Sequence, residues 1–142
     1  MRLRDKVAIV TGSTRGIGEG CVRLFYREGA RVVVTGRDET KGLSLVGEMK
    51  EKDAPNEVAQ PGDRCIFART DVSHWIDVVQ LRDKTLEAFG RIDILVNNAG
   101  INVPSPFENL AEEVWDRVMN TNLKGVFFCS QLIGERMIEQ RS

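Results

Sequence analysis

Between Thr11 and Gly18 the chain reads Thr-Gly-Ser-Thr-Arg-Gly-Ile-Gly. Gly12 permits a tight turn, Gly16 removes a Cβ that would hold a phosphate off the backbone, and Gly18 lets a following helix approach the preceding strand closely. Unpaired N–H groups and the positive end of a helix dipole then suit bound phosphates. The spacing TGxxxGxG departs from GxGxxG and lacks the Gly-Lys-Ser/Thr ending of a P-loop. Arg15 inside the turn and Arg37 farther on are guanidiniums suited to a phosphate dianion. Asp71, the run Asn97-Asn98-Ala99-Gly100, and Asn122 are the other polar or small residues in positions to meet a ligand. The composition holds a single Tyr, Tyr26, and a single His, His74. Any chemistry that needs either has only one candidate.

The elements around these residues alternate. Val7-Ala8-Ile9-Val10-Thr11 is a continuous apolar run, the pattern of a strand buried on both faces. Ile17, Cys21, Leu24 and Phe25 follow at helical spacing, and Gly29 stops that helix. Arg31 to Thr35 predicts a second buried strand and Asp38 to about Lys52 a more polar helix, with Asp38 placed to cap it. Pro55, Pro61 and Gly62 mark Asp53 to Asp63 as an exposed loop. Cys65 to Ala68 is a third, weaker strand. Ser73 suits the cap of a helix through Phe89 with Ile76, Val79, Leu86 and Phe89 inward, and His74 falls in its first turn near the surface. Ile92 to Val96 is a fourth strand, and the pattern from about Ala111 to Glu139 is helical, with Val114, Val118, Leu123, Phe127 and Ile133 among its apolar positions. Strands alternating with helices predict an α/β fold with right-handed crossovers and a parallel sheet covered on both faces. Ligands of such sheets bind beyond the carboxyl ends of the strands, where the residues named above fall.

Four of these stretches in this order resemble the classical short-chain dehydrogenase/reductase family: the TGxxxGIG turn, Asp71-Val72 after the third strand, Asn97-Asn98-Ala99-Gly100 after the fourth, and Asn122-Leu123-Lys124-Gly125 as N-x-x-G. The resemblance covers the whole chain. It implies a Rossmann-type doubly wound parallel sheet, truncated after four strands and the following helix, so that residues 1–142 form one incomplete NAD(P)-binding domain. It further implies a carbonyl or alcohol oxidoreductase ancestry. By the same resemblance Gly12, Ser13, Arg15, Gly16, Ile17 and Gly18 meet the cofactor, Asp71 accepts from the adenine amino group with Val72 beside the ring, and Asn98, Ala99 and Gly100 pass beneath it. Asn97 is expected to hydrogen-bond neighbouring strands.

An acid at the end of the second strand favours NAD through the ribose hydroxyls, whereas an arginine pairs with the 2′-phosphate of NADP. Here Gly36 stands where NAD-preferring relatives carry the acid, and Arg37 follows at once. With Arg15 as a second guanidinium, NADP is preferred over NAD.

The family's hydride transfer is coupled to proton transfer through a Tyr, with a Lys four residues later lowering its pKa, a Ser polarising the carbonyl and an Asn completing a relay. A phenol is a poor base until a nearby cation favours the phenolate. Asn122 fits the Asn. Tyr26 lies in the first helix with Ala30 four residues on, and Ser130 and Ser142 stand outside the family's Ser context. The chain is therefore expected to hold a cofactor without turning over a carbonyl or alcohol substrate unaided, activity belonging to a longer form. Two other readings stay open: a non-enzymatic module binding a dinucleotide or a related subunit, and an isomerase or dehydratase on the same fold.

At 142 residues the chain has an ordinary domain's length, with 42% apolar and 29% charged residues. Lys plus Arg number 20 against 21 Asp plus Glu, which argues against a nucleic-acid binder. Cys21, Cys65 and Cys129 are odd in number and widely spaced, so neither a metal site nor a disulfide framework is expected. No signal peptide or membrane span is read, which points to a cytoplasmic protein. The fourth strand would present an open edge. The last helix would leave Phe127, Phe128, Ile133 and Met137 incompletely covered, so a homo- or hetero-oligomer through that helix is expected.

Overall fold

Val7–Val10 is apolar at every position and wholly buried, so this strand, β1, must have cover on both faces and neighbours on both edges. A computed structural model, which describes residues 1–53 and 63–141, supplies both. β1 pairs in parallel with β2 (Arg31–Gly36) on one side and with β4 (Ile94–Val96) on the other. Strand β3 (Cys65–Arg69) pairs outside β2, giving the order β3-β2-β1-β4. The four strands are linked by α1 (Gly16–Arg27), α2 (Glu39–Asp53) and α3 (Trp75–Phe89), and α4 (Glu112–Met119) and α5 (Gly125–Gln140) follow. The loop expected from Asp53 to Asp63 lies almost entirely outside the described residues.

Alternation along the strands divides the core. Ala8, Val10, Val32 and Val34 face α1 and α2, and Val7, Ile9 and Val33 face α3 and α5. Close packing under α2 depends on Gly42, where a Cβ would stand 2.1 Å from a ring carbon of Phe67. Tyr26 is a core residue at 7% exposure, with the Arg64 guanidinium 4.2 Å from its ring centroid. Cys65 and Cys129 are buried as well, and burial pushes their thiols up to about 12 and about 11.

Several expected faces are corrected. In α1 the buried residues are Gly18, Val22 and Tyr26, while Ile17 and Leu24 are exposed. In α3 Val78, Leu81, Thr85 and Phe89 are buried and the expected Val79 and Leu86 pack partly buried against the core, so that of the expected inner residues only Ile76 is exposed; Thr85 can be buried because its hydroxyl donates to the Leu81 carbonyl at 2.7 Å. Ser73 does not cap α3, whose N-cap is His74. Asp38 does cap α2, accepting from the Lys41 N–H at 3.0 Å. The long helix expected from Ala111 is interrupted by a π-helical turn, Asn120–Lys124. Ile133 is fully buried, whereas Phe127 is 55% exposed. No helix among the described residues is long and apolar enough to cross a membrane.

At the base of the sheet Asp93, with a side chain 2% exposed, clamps the start of β1. Its Oδ2 accepts from the Val7 N–H at 2.9 Å, and its carboxylate pairs with Arg91 and Lys6. Burial opposes ionisation here, but Arg91, the Val7 N–H and Lys6 together hold the carboxyl below its ordinary range. A group with a depressed folded pKa stabilises above its unfolded value and loses that contribution as pH falls through the folded one. Asp93→Ala is therefore expected to cost about 1–3 kcal/mol at pH 7 by leaving the Val7 N–H unmatched. The gap to the parent should narrow below about pH 4. Urea unfolding of both proteins at neutral and acid pH measures it, and a pH-independent gap would refute the assignment.

Candidate functional site

The carboxyl ends of β1, β2, β3 and β4 open onto one cavity of about 510 Å³, the size of a small-molecule cofactor site. Its walls bring together Gly12, Arg15, Gly16, Ile17, Arg37, Asp71, Val72, Asn98, Ala99 and Gly100, ten of the expected residues drawn from four separate stretches of sequence.

The glycine turn has the backbone its sequence requires. Gly12 and Gly16 adopt φ of +63° and +58°, the left-handed region open to glycine. Arg15 precedes α1 with an extended backbone and no side-chain cap, so the first N–H groups of the helix are not taken by a capping side chain. Ile17, at 81% exposure, belongs to the cavity wall and not to the core.

Ser13 and Gly18 are placed elsewhere. Ser13 is wholly buried, its N–H donating to the Thr35 carbonyl at 2.8 Å and its Oγ accepting from the Thr35 N–H at 2.9 Å. It ties the turn to β2 and does not face the cavity. Gly18 is buried under the turn, where a Cβ would stand 2.6 Å from the Gly12 carbonyl oxygen.

The loop after β4 is bound to the turn after β1. Thr11 Oγ1 accepts the N–H groups of Asn98 and Ala99, both at 3.0 Å. The Asn98 amide donates back to the carbonyls of Thr11 at 2.9 Å and Gly12 at 3.1 Å. Asn98 is thus the residue that joins neighbouring strand ends. Asn97, expected in that role, instead donates to Ser130 Oγ on α5 at 3.1 Å.

Asn122 stands in the π-helical turn, a deformation common at functional sites. Its Oδ1 accepts from the Ile101 N–H at 2.8 Å and its Nδ2 donates to the Ile101 carbonyl at 2.9 Å. The side chain therefore pins the end of the Asn-Asn-Ala-Gly loop, and its neighbour Thr121, not Asn122, reaches the cavity wall. His74 is exposed.

Sequence reasoning missed Thr14, Asp38, Lys41, Thr70, Ile101 and Thr121 as cavity residues, Asp38 having been read only as a helix cap. Thr70 and Ile101 flank motif residues just beyond β3 and β4, so counting one residue to either side would have found them. Thr14 packs on Gly36, where a Cβ would stand 3.0 Å from Thr14 Cγ2. Among the described residues no group of His, Cys, Asp and Glu is placed to hold a metal ion.

The model of the short chain dehydrogenase family matches residues 6–142. The 3-oxoacyl-acyl-carrier-protein reductase FabG of Thermotoga maritima is 39% identical over 142 residues, covering 100% of this chain and 54% of that protein. The NADP-dependent (R)-specific alcohol dehydrogenase of Lentilactobacillus kefiri is 41% identical over 136 residues, 96% of this chain and 50% of that one. Among solved structures, a Brucella melitensis 3-ketoacyl-(acyl-carrier-protein) reductase complexed with NADH superposes with a TM-score of 0.85 at 33% identity, covering 97% of this chain and 52% of that one. The chain spans about half the length of the curated relatives it matches. With the sheet order, the glycine turn and the family model in agreement, the chain belongs to the short chain dehydrogenase family, oxidoreductases built on a Rossmann-type nucleotide-binding sheet.

Proposed function

We propose that the chain binds NADP and serves hydride transfer between that cofactor and a small-molecule carbonyl or alcohol. The observation that carries this reading is the cavity over the strand ends, lined by the glycine turn and by Arg15 and Arg37. The cavity fits the group. Gly12 and Gly16 leave the backbone bare where a pyrophosphate would lie, and the N-terminus of α1 supplies N–H donors and a favourable dipole. Arg37 and Arg15 would hold the 2′-phosphate, Asp71 and Val72 the adenine, and Asn98, Ala99 and Gly100 the face beneath the ribose and nicotinamide. When bound, the cofactor supplies or accepts the hydride.

Asn122 contributes by fixing Ile101 and the loop that carries Gly100, which sets the depth of the cavity floor at that end. The proton chemistry has no matching group in these 142 residues. Tyr26 is buried in the core and has no Lys four residues on. A homo- or hetero-oligomer through α5 accords with the exposure of Phe127 on that helix and of Leu123 in the turn before it.

Fluorescence titration of the 142-residue chain with NADPH and NADH, followed by an assay of carbonyl reduction, tests the reading. Expected are saturable NADPH binding, weaker NADH binding and no turnover. Failure to bind either dinucleotide overturns the cofactor assignment, and turnover abolished by Asn122→Ala overturns the claim that these residues alone do not complete the reaction. Binding without NADPH preference would leave the family intact and remove the roles given to Arg15 and Arg37.

A further inference from the structure

The π-helical turn and the start of α5 touch both loops that wall the cavity beyond β3 and β4. Thr121 lines the cavity itself. Asn122 holds the β4 loop through Ile101. Gly125, the first residue of α5, meets the β3 loop. A Cβ there would stand 2.6 Å from Val72 Cγ2, 3.1 Å from Val72 Cβ and 3.2 Å from the Val72 carbonyl oxygen. The backbone at Gly125 is ordinary right-handed helix, with φ −60° and ψ −41°, so no turn geometry asks for glycine. Helical backbone of that kind otherwise favours alanine, which has less freedom to lose. Close approach to Val72 is what the missing side chain permits. Val72 is buried, lines the cavity, and belongs to the same core cluster as Val78, Leu81 and Cys129. Core atoms are close-packed and yield little. A Val72 displaced by a side chain at position 125 therefore has the cavity as its open side.

We propose that Gly125 is a positioning residue for the cavity: its bare Cα lets Val72 sit back against α5, and so sets the room between the β3 and β4 walls for a bound dinucleotide. This rests on the dinucleotide reading above and adds to it a residue outside the cavity lining. A side chain at 125 narrows the site without changing its charge, so NADPH and NADH lose affinity together. A merely structural role predicts lower stability and unchanged affinity in the folded protein.

The test titrates NADPH and NADH into the 142-residue chain and into Gly125→Ala, Val72→Ala and the double variant. Gly125→Ala should weaken both dinucleotides about tenfold, the effect of one methyl forced into a packed site, and leave their ratio unchanged. Val72→Ala alone should weaken binding about twofold through lost contact. In the Gly125→Ala background the same change should act in the opposite direction and bring affinity back to within about threefold of the parent. Gly134→Ala is the control on the same helix: a Cβ there meets nothing within 4 Å, so it should raise Tm and leave binding alone. A folded Gly125→Ala chain that binds as tightly as its parent overturns the proposal, and so does a loss that Val72→Ala does not recover. If Gly125→Ala alone does not fold, the double variant decides: folding with dinucleotide binding supports the proposal, and failure of either overturns it. A parent that binds neither NADPH nor NADH defeats the dinucleotide reading first and this one with it.

Discussion

Arg37→Asp is expected to lower affinity for NADPH about 30-fold or more and to strengthen NADH binding, so that the preference inverts. A hydrogen-bonded ion pair with a phosphate is worth about 1.5–3 kcal/mol, and a carboxylate in its place adds repulsion of the same dianion. Arg37 is exposed at the end of β2, so its contribution is screened and the effect should shrink as salt rises. Arg15, which also lines the cavity, keeps part of the affinity, so binding should weaken without vanishing. The new carboxylate can instead accept from the ribose hydroxyls, which is why NADH gains. Position 36 is a poorer place for the same change. A side chain there would press its Cβ to 3.0 Å from Thr14 Cγ2, so Gly36→Asp displaces the Thr14 side chain as well as adding the charge. The relatives leave the matter to these residues, since one bears NADP in its name and another was solved with NADH. Parallel titrations at two salt concentrations decide it; an unchanged NADPH-to-NADH ratio would remove Arg37 from the site.

How much of this was legible in the sequence depended on where each residue's partner lies. The strands were readable because β1 and β2 are buried on both faces, which leaves an unbroken apolar run. The cavity's floor was readable because each contributing stretch follows directly on a strand. Helix faces were less so. Ile17 and Val22 are equally apolar, yet one lines the cavity and the other is fully buried, a difference set by how α1 is rolled on the sheet. Thr85 was hidden for another reason: its polarity is cancelled locally by the Leu81 carbonyl. The two asparagines after β4 could not be told apart by type, because only the third dimension decides which amide reaches the carbonyls of Thr11 and Gly12. The π-helical turn at Asn122 leaves little trace in apolar spacing, since one extra residue in a turn shifts the pattern only slightly.

Gly18→Ala is expected to destabilise the fold by about 3 kcal/mol, a fall of roughly 10 °C in Tm, and to damage the site with it. The added Cβ would lie 2.5 Å from Asn98 Nδ2, 2.6 Å from the Gly12 carbonyl oxygen and 2.8 Å from Ser13 Cα. Two of those atoms are backbone and cannot rotate away. The third belongs to the amide that ties the β4 loop to the glycine turn, so relieving the contact there breaks those hydrogen bonds, each worth about 1 kcal/mol. The other escape is to lift α1 from the sheet, which opens the packing of Val22 and Tyr26. Gly20, two residues on in the same helix, is the control. A Cβ there meets nothing within 4 Å, so Gly20→Ala should stabilise by about 0.5–1 kcal/mol through the lower entropy of the unfolded chain. Opposite signs at two glycines of one helix separate close approach from helix propensity, because propensity alone favours alanine at both. Thermal and urea unfolding of the two variants would show it, and a Gly18→Ala protein as stable as its parent would mean that α1 does not lie against the turn as closely as the cavity floor requires.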